Sequence, residues 1–359
     1  MDQYTAAMSG DRLSAGPVAP NSGAPASAPH ARVQAPNPIS SAPVAPSSSA
    51  PSDSRADPRA VDAVAARLQR DRLARAGQAP WLHEDVAQRM LERLPLIRRQ
   101  PGRIVLSSAL LGGGHEGLRA LYPQARQQWW EHRPLALERA GALHRRSGLG
   151  ALWGSLRGAP TVQVLPAPPP GEAELLWSNM ELHAEADKAA LLSRWQQALA
   201  VDGFLMFSCL GPDSLVELRP LFEQAGWGDP APQWTDMHDL GDLLVQAGFA
   251  DPVMDQEHVR LTWGRAEDLL RDLRALGGNL APGRHAGLRT PRWHGRLLAA
   301  LETLRGADDR LAMTLELVYG HAFKAQPRLK VQPETSVSLD QMRAMVRRLI
   351  DSEPAGKPL

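Results

Sequence analysis

The sequence predicts an α/β protein: a mostly parallel sheet with helices on both faces and an antiparallel addition at one edge. Three features of the chain point there. Short apolar runs alternate with helical patterns from residue 103 to 225, as they do where parallel strands are joined by crossover helices. The clearest run, 203–209 (GFLMFSC), leads into a helical pattern at 213–225. Two late runs, 258–263 (HVRLTW) and 311–319 (LAMTLELVY), are separated by helical patterns near 266–276 and 293–304, which suggests strands added antiparallel at the edge.

Taken in order, residues 1–58 read as a disordered tail. Ten of the 31 prolines fall there among Ala, Ser and Gly, with no Lys or Glu and no apolar periodicity, so ordering them would not be offset by burial. Residues 59–100 read as a helical cap. Val61, Val64, Ala65 and Leu68 share one helical face, and Leu82, Val86, Met90 and Leu94 another. Strands follow at 103–106 (RIVL), 127–130, 161–165 (TVQVL) and 174–177 (ELLW), with a helix near 184–200. The α/β domain runs from 101 to 325 and includes a helical insertion at about 264–310. Residues 326–359 form a tail with one helical pattern, 339–350.

Composition narrows the function. Formal net charge is +1, so no whole-molecule field points to nucleic acid. Cys209 is the one cysteine, which excludes a disulfide framework and a Cys-based zinc site. No apolar run approaches the roughly 18 residues of a membrane span, and residues 1–10 lack a signal-peptide pattern. A cytoplasmic protein without membrane or nucleic-acid partners is expected. Of the 40 basic residues 36 are arginine, which reflects either codon usage or phosphate recognition.

After the first strand comes Ser107-Ser108-Ala109-Leu110-Leu111-Gly112-Gly113-Gly114. A glycine-rich turn at this place is where such sheets bind nucleotide-like ligands, and an acid ending the next strand holds the ribose. Glu131 has that spacing. Against this, Leu110 and Leu111 sit where a ligand wants bare backbone, and the alternative is a loop joining strand to helix. Trp129 and Trp130 beside the acid offer either an adenine-stacking surface or core packing. His83-Glu84 and His115-Glu116 do not form H-E-x-x-H, and no metal is expected. From 273 to 301 there is no Asp or Glu, while Arg274, Arg284, Arg289, Arg292 and Arg296 fall inside this window. Such a one-signed patch suits phosphate, an acidic protein, or solvent alone.

From about 59 to 324 the chain resembles the malonyl-acyl-carrier-protein O-methyltransferases of biotin synthesis, the BioC family. The likeness is carried by 176–182 (LWSNMEL), by 207–219 (FSCLGPDSLVELR), by 236–242 (DMHDLGD) with Ala247-Gly248-Phe249, and by 318–322 (VYGHA). The resemblance implies a seven-stranded, Rossmann-like methyltransferase sheet. It also implies S-adenosylmethionine as cofactor, the free carboxylate of malonyl-acyl-carrier protein as methyl acceptor, and the carrier protein as partner. It aligns Gly113 and Glu131 with cofactor contacts; a turn shifted onto Gly112, Gly113 and Gly114, with Asn179 after the later strand, completes the expected cofactor set, and the arginine window, lacking Asp and Glu, is expected to face the acidic carrier protein. No general base is implied, since methyl transfer needs mainly alignment. The family's Asp after strand one is Ser107 here, and its Gly-x-Gly-x-Gly becomes Ala109, Leu111 and Gly113. These departures leave a second reading open: a catalytically impaired protein of this fold that binds a carrier protein or another acidic partner. Nucleic-acid methylation would want Asn/Asp-Pro-Pro-aromatic, which Ser178-Asn179-Met180-Glu181 is not.

Overall fold

The computed structural model describes residues 59–144, 162–285, 287–326, 340 and 342–344, and the backbone of 32–34. Among them, eight strands make one sheet. These are β1 (Arg32–Gln34), β2 (Arg103–Ser107), β3 (Arg126–Trp130), β4 (Gln163–Leu165), β5 (Ala173–Ser178), β6 (Leu199–Leu210), β7 (Phe249–Trp263) and β8 (Leu311–Lys324). Their spatial order is β1-β7-β8-β6-β5-β2-β3-β4. The pairs from β4 to β6 are parallel, and β8 is antiparallel to both β6 and β7. The seven strands β2 to β8 are the mostly parallel sheet that the sequence predicts. The antiparallel addition expected at the edge is made by β7 and β8, with β8 running against its neighbours. One detail differs: β1, from within the segment expected to be a disordered tail, pairs antiparallel with β7, Val33 opposite Leu261. Its three residues are held by the open edge of β7 rather than by any pattern of their own. The rest of 1–58 lies outside the described residues, as does most of the helix expected at 339–350, of which 340 and 342–344 are helical.

Side chains alternate across the pleat and bury both faces. Ile104 and Leu106 of β2 join one core with Trp177, while Val105 joins the opposite core with Leu176 and Trp195. Burial on both sides is why these strands read as continuous apolar runs. Helix α1 (Ala63–Ala76) is started by the Asp62 carboxylate, which accepts from the Val64 and Ala65 N–H groups at 2.9 and 3.0 Å. Its inward face is Ala66, Arg70 and Ala74. The apolar stripe expected there is rotated away: Val64 and Leu68 are 58% and 59% exposed, although Val61 is buried. Helix α2 (Trp81–Arg93) does bury Leu82, Val86 and Met90, with Leu94 just beyond it. Among the described residues no helix is long and apolar enough to cross a membrane.

At the far edge β7 is irregular. Its register with β8 shifts between Ala250 and Val253, where Asp251 takes a left-handed φ of 49° and Pro252 interrupts the hydrogen-bonding ladder.

Candidate functional site

Strand order reverses between β2 and β5, so a crevice opens beyond their carboxyl ends, the usual ligand position in such sheets. The backbone is strained around it. Ser108, Met180 and Leu215, which follow the adjacent strands β2, β5 and β6, have φ of 49°, 55° and 55°. Non-glycine residues persist in that region only where their surroundings over-determine them.

The expected glycine turn is folded as one short turn of helix, α3 (Ala109–Gly112), followed by α4 (His115–Leu121). Leu110 is buried with Ala74 of α1 and with Ala136 of α5 (Pro134–His144). Gly113 has φ +69°, and a Cβ there would lie 2.7 Å from the Glu84 carboxylate. Glu84 also accepts from the Gly114 N–H at 3.3 Å. Gly112 lies 3.4 Å, Cβ position to carbonyl oxygen, from Asn179. The glycines thus make room for α2 and Asn179.

Asn179 has both amide hydrogens engaged. Its Nδ2 donates to the His83 carbonyl at 2.6 Å and to the Gly112 carbonyl, and its Oδ1 accepts from the Ser208 hydroxyl at 2.6 Å. Glu131 is buried, and its Oε1 accepts from the Leu110 N–H at 2.6 Å. Burial pushes the Glu131 carboxyl up to about 8; the Leu110 N–H opposes this, the Glu181 charge adds to it, and Arg70 opposes it. The group is therefore mostly neutral near pH 7.

Glu181, which no sequence pattern singles out, is the centre of the crevice. Its carboxylate accepts from the hydroxyls of Ser107 at 2.7 Å, Ser108 at 2.6 Å and Ser178 at 2.9 Å. Arg70 donates to the Glu181 carbonyl at 2.9 Å and to Glu185 at 3.2 Å. Burial works to raise the Glu181 carboxyl, but Arg70, His132 and the seryl hydroxyls outweigh it and hold the group below its ordinary range. His83, whose Nδ1 lies 2.7 Å from the Leu111 carbonyl, is lowered to about 4 by burial, against that carbonyl and with help from Arg70. The helical cap therefore delivers Arg70, His83 and Glu84 onto the turn.

The space left between these groups, lined by Arg70, Ser108, Leu111, Asn179 and Glu181, is only about 30 Å³. That holds a water or two, whereas small-molecule sites span about 300–1,000 Å³. Trp129 and Trp130 are packing residues. Trp129 sits between the His115 and His144 rings, with centroids 4.9 and 4.4 Å away. The Trp130 indole donates to the Pro166 carbonyl at 3.1 Å.

Beside the crevice lies a larger cavity of about 310 Å³, beyond the carboxyl ends of β5 and β6. The helices α6 (Ala266–Ala275) and α7 (Pro291–Glu302) cover it. Arg274, Arg284 and Arg289 of the arginine window line it, with Trp227, Trp234 and Trp293. Arg284 pairs with Asp62 at 2.7 Å. Arg289 donates to the Trp227 carbonyl at 2.6 Å and stacks on Trp293, 4.3 Å from the ring centre. Arg292 and Arg296 lie exposed on α7. The five arginines are therefore divided between cavity wall, ion pair and surface. Three tryptophans scattered over 67 positions of sequence carry no sign that they converge.

Asp213, His258 and Glu316 also come together, their ligand-type atoms all within 4.8 Å of one another. They staple the loop after β6: Glu316 accepts from the Asp213 N–H at 2.7 Å, and His258 Nε2 lies 3.1 Å from Asp213 Oδ2.

No family model matches the chain. Curated relatives do. A malonyl-acyl-carrier-protein O-methyltransferase of Laribacter hongkongensis is 37% identical over 280 residues, covering 76% of this chain and 93% of the relative. One of Gallionella capsiferriformans is 37% identical over 279 residues, covering 75% and 93%. One of Methylovorus is 35% identical over 278 residues, covering 76% and 93%. Among solved structures, the YcgJ protein of Bacillus subtilis aligns with a TM-score of 0.42 at 10% identity, over 67% of this chain and all of that one. A methyltransferase-like protein of Bacillus halodurans gives 0.41 at 13%, over 66% and 99%. Likenesses that weak carry no argument about the site.

Proposed function

The chain belongs to the malonyl-acyl-carrier-protein O-methyltransferase family, and from that premise we propose that it converts the free carboxylate of a malonyl group on acyl-carrier protein into its methyl ester, a step of biotin synthesis. One observation carries the reading: the 37% match extends over 93% of the relative, so both the strand-one half and the substrate half are present. The exposed Arg292 and Arg296 are suited to an acidic carrier surface, where such charges set on-rate and salt dependence more than affinity. The reading puts the protein in the cytoplasm.

Family membership brings S-adenosylmethionine as the methyl donor. The crevice as folded does not fit it. About 30 Å³ is free at the turn, Glu131 is engaged by Leu110, and both amide hydrogens of Asn179 are taken. A second reading, a family member that keeps its carrier-protein partner without methyl transfer, rests on this closure alone; the methyltransferase relatives favour the first.

The test is incubation of the full chain with malonyl-acyl-carrier protein and methyl-labelled donor, alongside calorimetry with the donor alone. Labelled ester on the carrier, with saturable donor binding, supports methyl transfer. Carrier binding without donor heat or label supports the second reading. Absence of both refutes each.

A further inference from the structure

We infer that the 310 Å³ cavity is a binding site for a medium-chain carboxylate, an apolar acid of roughly ten to twelve carbons. The inference goes beyond methyl transfer and needs neither donor nor carrier protein. Size comes first. Benzene fills an apolar protein cavity of about 150 Å³, so a cavity of about 310 Å³ holds about twice six carbons. A malonyl group, with three carbons and two polar ends, leaves most of it empty.

Chemistry comes second. Met180, Leu210 and Leu315 line the cavity at the strand ends, and Phe222, Trp227 and Trp293 form one contiguous aromatic wall. In that wall Trp227 meets both Phe222 and Trp293 edge-on, at centroid distances of 5.5 Å. Such a surface takes an alkyl chain. Of the imidazoles in the lining, His83 and His183 are held neutral by burial.

Charge comes third. Asp229 is the one carboxylate among the lining residues, against Arg274, Arg284 and Arg289. Arg284 is neutralised by Asp62. Among the described ion pairs, none involves Arg274 or Arg289. Arg289 is held in place by the Trp227 carbonyl and the Trp293 face, so its remaining donors are pre-oriented for an anionic head. Buried polar atoms await a partner as well: His183 Nδ1, Trp234 Nε1 and Trp293 Nε1 make no hydrogen bond.

The probe is a series of straight-chain acids, butyrate, hexanoate, decanoate, dodecanoate and hexadecanoate, titrated into the full chain. Tryptophan fluorescence and calorimetry report binding. Each buried methylene is worth about a fourfold gain in affinity. Decanoate should bind saturably at one site, at least about a hundredfold tighter than butyrate. Affinity should stop rising beyond dodecanoate, because the cavity is finite. Arg289→Met should weaken decanoate about tenfold and leave decanol unchanged. Leu273→Trp, which fills the cavity, should abolish binding with the circular dichroism unaltered; if that variant fails to fold, the chain-length limit decides alone. The proposal is overturned by non-saturable uptake, by affinity that keeps climbing through hexadecanoate, by decanol binding as tightly as decanoate, or by no decanoate binding.

Discussion

Replacing Glu131 by Gln tests whether the acid after β3 is a structural group or a ligand holder. In the fold its carboxyl is pushed up to about 8 by burial, while the Leu110 N–H at 2.6 Å needs only an acceptor. Glutamine keeps that acceptor and cannot ionise. In the unfolded chain Glu131 titrates near 4.5. Because the folded value lies above the unfolded one, its stability contribution is intact below about pH 4.5 and is lost as pH rises through about 8. At pH 7 the loss amounts to about 3 kcal/mol, from a 2.5-unit gap at about 1.4 kcal/mol each. Glu131→Gln should therefore match the wild type near pH 4, gain on it steadily through pH 7, and level off above pH 8. Urea unfolding at half-unit pH steps measures this directly, the midpoint shift multiplied by the slope giving the free energy. A variant that is destabilised at pH 7, or whose advantage does not grow with pH, refutes the buried neutral carboxyl. It would then restore a charged group available to a ribose.

Three further outcomes are expected. Gly113→Ala should cost about 1–3 kcal/mol, from its left-handed φ and the collision with Glu84, and adding Glu84→Ala should recover part of that in a denaturation cycle. His83, lowered to about 4 by burial, makes stability fall as pH drops from about 6.5 towards 4, by about 3 kcal/mol at full protonation of the unfolded chain; Glu131 contributes the opposite slope above about pH 4.5, so the readout is the stability difference between His83→Gln and the wild type, which should shift in the variant's favour as pH falls, and a difference independent of pH refutes it. Reversing Arg292 and Arg296 to Glu should slow association with acyl-carrier protein several-fold at low salt and little at high salt; surface plasmon resonance reads both, and equal rates at low salt would remove these residues from the interface.

Much of the sheet was legible because its strands are buried on both faces: 103–106, 127–130 and 203–209 each reappear as the core of β2, β3 and β6. Helix α2 was legible for the same reason. Helix α1 was not. Its inward face carries Arg70, whose partners Glu181 and Glu185 stand more than 100 residues away, so the stripe of Val64 and Leu68 pointed the wrong way. Strand β1 has no signal of its own and exists through β7. At the site, the place of the glycine turn was legible and its closure only hinted at by Leu110 and Leu111. Glu181 lies inside the family-like run 176–182, but nothing in that run sets it apart as a site residue; its importance comes from three hydroxyls brought in from the ends of β2 and β5.

The outer rim of the sheet bears on self-association. A 15-residue strand such as β7, left bare, is a template on which a second molecule can add its own backbone. Here β1 masks Arg260, Leu261 and Thr262. Farther along, the kink at Asp251-Pro252 removes a donor, and Asp255 and Glu257 place negative charge beside the remaining backbone. Arg93 reaches Asp255 at 3.0 Å and Arg89 reaches Glu257 at 3.0 Å, so α2 also ties down part of that margin. Removing the segment that contains β1 would uncover Arg260, Leu261 and Thr262 of β7, and self-association there would appear before any loss of the fold itself.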